Sequence, residues 1–150
     1  MINYILEINK LLNDNEFEQI YNMLYKESGY IFTALLEVSN VDFLHAVEKI
    51  PDFCFTGLSI KSLVIPDNIT EIGNGAFTAC IDLESLTIPT SIKYINGYCF
   101  GGAIKLKEIK YIGTIEDWNN IKKLDDWAYE SSIEKIVCID GEIPVNTGRY

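Results

Sequence analysis

The sequence is short of the residues from which most catalytic and metal sites are built. It has one histidine, His45, and four cysteines, none in a C-x-x-C pair. Without paired ligands there is no zinc motif, and a lone histidine with no positioned nucleophile and orienter makes no triad. Basic residues are also scarce. Lys+Arg number 12 against 22 Asp+Glu, a net charge of -10 and a pI near 4.5. Nucleic-acid phosphates and anionic membranes repel such a chain, so neither is an expected partner. Apolar runs stay far short of the roughly 20 residues of a membrane span. The start MINYILEINKLLNDNEFEQI has no basic stretch before its apolar residues, Glu7 interrupts them, and no small-residue cleavage site follows. No secretion signal is expected, and the cytoplasm is the expected location. GNGAF lacks the Lys and Ser/Thr of a phosphate loop, IDGE lacks the other ligands of a calcium loop, and adjacent Asp125 and Asp126 point apart on a helical pattern. Neither enzymatic activity, cofactor nor metal is expected.

What the sequence has in place of these is repetition. Phe55, Phe77 and Phe100 fall at a period in the low twenties, each preceded five residues earlier by Ile50, Ile72 or Ile95. Leu63, Leu86 and Ile109 form a second column, and Ile65, Ile88 and Tyr111 follow two residues later. Ile69, Ile92 and Ile115 form another, while Pro66 and Pro89 give way to Ile112. Such a period marks a solenoid of short coils, each too small to bury its own apolar residues and therefore stacked on its neighbours. KSLVIP, ESLTIP and KEIKYI alternate inward and outward, as strands with one buried face do, and proline ends two of them. Val41, Phe43, Val47 and Ile50 fit an earlier partial coil, and Ile133, Ile136 and Cys138 a last one. Between Tyr111 and that last strand, Trp118, Ile121, Leu124 and Trp127 fall on one helical face, which predicts a helical insertion.

The spacing IP-x-x-I-x-x-I-x-x-x-A-F-x-x-C-x-x-L-x-x-L-x-IP, from Ile65 to Pro89, resembles the BspA-type leucine-rich repeats. YIGTIEDWNNI…IVCIDG, Tyr111 to Gly141, is similar to the way arrays of that family end. The resemblance implies an α/β leucine-rich-repeat solenoid, with a short parallel β-sheet on the concave face. It also implies a protein-binding surface, of the kind many secreted adhesins carry.

Residues 1–40 do not repeat. Ile5, Ile8, Leu11 and Leu12 share one helical side, Asp14 or Asn15 can cap a second helix, and Phe17, Ile20, Tyr21, Leu24 and Tyr25 form its stripe. The predicted organisation is a helical N-terminal cap over 1–40, the solenoid over 41–141, and a tail over 142–150. Cys54 and Cys99 share a column with Ala76 between them, two coils and so about 10 Å apart, too far for a disulfide. Cys80 takes the family's small buried position and Cys138 replaces an inward Ile, so all four are expected as free, buried thiols.

Two surfaces are candidates for a partner. The outward strand positions are Ser62, Val64, Ser85, Thr87, Glu108, Lys110, Lys135 and Val137. The acidic ends carry Glu7, Asp14, Glu16 and Glu18 on one side and Asp117, Asp125, Asp126 and Glu130 on the other. Residues 1–49 carry net -5, 50–114 net -1 and 115–150 net -4, so the acid sits at the ends. The expected function is a non-catalytic protein-binding module, in its specific form a phage or mobile-element inhibitor docking acidic surface on a basic host protein. An adhesin fragment and a self-assembling module are the alternatives.

Overall fold

The alternating segments give each coil one strand, and the computed structural model, which describes Leu44 and residues 47–147, pairs them in register. Strands β2 (Ser62–Val64), β4 (Ser85–Ile88), β6 (Glu108–Tyr111) and β8 (Lys135–Cys138) lie parallel, Leu63 beside Leu86 and Ile109 beside Ile136. A narrower parallel sheet passes through the turns: β1 (Lys49–Ile50), β3 (Glu71–Ile72), β5 (Tyr94–Ile95) and β7 (Lys122–Lys123). Its register sets Ile50, Ile72 and Ile95 in one line. The broader sheet has the order β2-β4-β6-β8-β9, and β9 (Gly141–Pro144) reverses to pair antiparallel with β8. The segment assigned to the tail thus opens with most of a strand.

The apolar columns fill the space inside the coils. The rings of Phe55 and Phe77 stack with centroids 5.1 Å apart and planes 7° apart, and Phe77 and Phe100 stack at 5.4 Å and 6°. That spacing follows the separation of neighbouring strands, so one residue type at a fixed position makes a continuous ring ladder. Each fully buried Phe contributes about 1.5–3 kcal/mol of transfer free energy. Ile69, Ile72, Leu83, Leu86, Ile88, Leu106, Ile109 and Ile136 are buried in the same core. The four cysteines are buried and unpaired; the Cys80 thiol donates to the Phe55 carbonyl at 2.9 Å, and that of Cys99 to the Asn96 carbonyl at 3.0 Å.

Each turn rises tightly to the next coil and needs left-handed backbone. Gly75 has φ 58°, and the Phe53 ring lies where its Cβ would stand, with a ring carbon 2.5 Å from that position. Only glycine satisfies both demands at Gly75.

The helical insertion is much shorter than the 118/121/124/127 pattern predicts. One helix forms, α1 (Ile115–Asn120), opened by a capping box in which the Thr114 hydroxyl accepts from the Asp117 N–H and the Asp117 carboxylate accepts from the Thr114 N–H. The chain then returns to the solenoid as β7 and another turn. Trp118 and Ile121 are buried, Trp127 is half-buried, and Leu124 is exposed on that turn. Ala128 occupies the column of Phe100: the Ser131 N–H bonds to the Ala128 carbonyl as the Ala103 N–H bonds to that of Phe100. The bulk moves one residue back, where Trp127 packs edge-on against Phe100 at 6.0 Å and against Trp118 at 5.6 Å. The pair Cys99-Phe100, small then large, becomes Trp127-Ala128, large then small, and the space stays filled. The helical cap expected over 1–40 lies outside the described residues.

Candidate protein-binding face

Because β2, β4, β6 and β8 bury alternate residues, their other side chains share one face. The register sets Val64 beside Thr87, Thr87 beside Lys110 and Lys110 beside Val137. Ser62 lies beside Ser85, and Glu108 beside Lys135. The eight outward residues predicted from the strand pattern are thus brought together in two rows, all exposed or half-buried, with Val64 68% exposed.

The face is graded in character. Its β2–β4 half is small and uncharged. On its β6–β8 half, the Lys135 ammonium stands 3.8 Å from the Glu108 carboxylate and 2.9 Å from that of Glu142 on β9, which holds the Lys135 ammonium above its ordinary pKa. These solvated pairs fix side-chain positions more than they stabilise the fold. Lys110 has no ion pair among the described residues, so its charge is available between Thr87 and Val137 in the row that starts at Val64.

The described acidic candidates sit on two elements. Asp117 belongs to the α1 capping box, and its bonds with Thr114 hold its carboxyl below the usual carboxylate range. Asp125, Asp126 and Glu130 sit instead in the turn after β7, with the Asp126 carboxylate against the bare face of Gly97. Glu7, Asp14, Glu16 and Glu18 lie outside the described residues.

Two features escape the repeat pattern. Lys123 occupies the column of Ile50, Ile72 and Ile95. Its stem lies half-buried and its ammonium donates to the carbonyls of Trp118 at 2.7 Å and Ile121 at 2.9 Å, at the end of α1. The same ammonium stands 5.0 Å from the centroid of the Trp118 ring, and burial lowers its pKa. Beside it a cleft of about 660 Å³ opens between residues 90–94 and α1, walled by Tyr94, Tyr111 and Ile121 and rimmed by Lys93 and Lys122. No sequence motif marks either feature.

Among the described residues no group of three His, Cys, Asp or Glu side chains could hold a metal ion, and no helix is long and apolar enough to cross a membrane. A family model described as the BspA type leucine-rich repeat region matches residues 26–140 in six copies. The match begins ahead of residue 41, within the segment read as a cap. Comparison with curated proteins and with solved structures gave no match.

Proposed function

The chain belongs to the BspA-type leucine-rich-repeat family, an interaction or adhesion type of module, and from that premise we propose that it is a non-catalytic module binding a protein through the outward face of its five-stranded sheet. The observation that carries this reading is the face itself: two aligned rows of exposed and half-buried residues, uncharged on one half, with the unpaired Lys110 ammonium on the other. A rigid ladder presents those rows with little ordering cost on binding.

The finer reading is an intracellular inhibitor that meets a basic protein. Net charge -10 supports the attraction, and four buried free thiols suit a reducing compartment. A helical cap over residues 1–40 belongs to the same reading, as cover for the open end of the stack.

Tagged protein is used as bait at low and high salt beside two variants. One carries Val64→Asp, Thr87→Asp and Lys110→Glu; the other carries Asp125→Asn and Glu130→Gln. A captured protein lost with the first variant and kept with the second supports the sheet face. The reverse pattern, with loss at high salt, supports the acidic turn and contradicts the sheet-face reading.

A further inference from the structure

We infer that the cleft beside α1 is a carboxylate-binding site separate from the sheet face. Extra chain makes the cleft: Glu71 pairs with Tyr94, 23 positions on, whereas Tyr94 pairs with Lys122, 28 positions on. The added residues leave the stack as α1 and open about 660 Å³ beside it, a volume in the range of small-ligand and side-chain sites.

The lining is opposite in character to the molecule as a whole. The chain carries -10, yet Asp117 is the one carboxylate among the lining residues, and its Oδ2 already accepts from the Thr114 N–H at 2.9 Å and hydroxyl at 2.8 Å. Beside it the lining holds two lysines, Lys93 and Lys122, from neighbouring coils tied together by the Lys122 N–H donating to the Lys93 carbonyl at 2.9 Å. Neither ammonium has an ion pair among the described residues, whereas Lys49, Lys105 and Lys135 are each ion-paired. Lys122 stands 5.5 Å from the centroid of the Tyr94 ring, which holds its charge at the cleft. Asn120 adds an amide able to donate to an oxygen, and Tyr111 supplies an aromatic wall. Paired cations, an amide donor and ring walls fit a carboxylate on a compact apolar or aromatic body. An acidic peptide of a partner and a free small acid share that chemistry.

The site is tested by amide NMR titration of the full chain with a short tyrosine–glutamate peptide acetylated and amidated at its ends, its tyrosine–glutamine counterpart blocked in the same way, and free glutamate. The expected result is saturable shifts confined to residues 90–94, Tyr111 and 117–122 with a glutamate ligand and none with the glutamine peptide. Lys93→Gln with Lys122→Gln weakens the affinity about tenfold, with the rest of the amide spectrum unchanged, while Lys110→Glu on the sheet face leaves it intact. Saturation by the peptide alone assigns the site to a protein partner, and saturation by free glutamate assigns it to a small acid. Absence of saturable shifts, equal shifts with the glutamine peptide, or equal loss from Lys110→Glu would overturn the inference. Failure of the sheet-face reading leaves these shifts unaltered.

Discussion

Cys99 shows how a single position couples packing to pH. Its thiol stands in the column of Cys54 and Ala76, and burial pushes it up to about 12; the same cause raises Cys80 to about 11. An exposed thiol ionises near pH 9. The folded chain therefore keeps protons that the unfolded chain releases above that pH. The thiol contribution is fully present below about pH 9 and declines as pH rises toward about 12. Urea unfolding of the native chain should show a falling midpoint above about pH 9, with a shallower fall in Cys99→Ala. Lysines and tyrosines titrate in the same range, so the difference between the two proteins is the readout; identical slopes would contradict the assignment. Lys123 makes the second residue-level case. Lys123→Ile restores the isoleucine column but removes both hydrogen bonds to the end of α1. Water replaces part of that loss, so the expected cost is about 1 kcal/mol by urea unfolding.

At the scale of elements, the stacked coils were legible in the sequence and the fourth coil was not. Phe55, Phe77 and Phe100 announce their ladder because every coil places the same bulk at the same point. The insertion was misread for a physical reason. Trp118, Ile121, Leu124 and Trp127 recur at intervals of three, which a helical face produces, but so does a succession of tight turns. Here the Ile121 N–H bonds to the Trp118 carbonyl at 3.2 Å and the Trp127 N–H to the Leu124 carbonyl at 3.0 Å, both turn-type closures three residues apart. The exchange of bulk between Phe100 and Trp127 hid the continuing column. Lys123 was invisible as a core residue because its apolar stem fills the isoleucine position while its charge finds partners on α1. The sheet rows were legible because strand alternation fixes them; the cleft was not, because it arises from where the extra residues of the long coil are stored. Thr114→Ala tests how far α1 depends on its capping box. About 1 kcal/mol of stability should be lost, and an unchanged midpoint would mean that Trp118 packing alone holds the helix.

At the scale of the whole molecule, the described stack closes on a reversed strand. The antiparallel β9 covers β8 and places Glu142 and Pro144 on the outer strand, and the narrow sheet ends on Lys122–Lys123. Charged, short and proline-bearing edges resist addition of another strand, so growth of a filament from this edge is disfavoured, which leaves binding through the sheet face as the proposal to test. The most direct test of that claim is hydrogen exchange of the chain alone and in complex with its captured partner. Protection concentrated in β4 and β6, and absent from the turn holding Asp125 and Glu130, is the predicted result. Protection of that turn with β4 and β6 unchanged would contradict it.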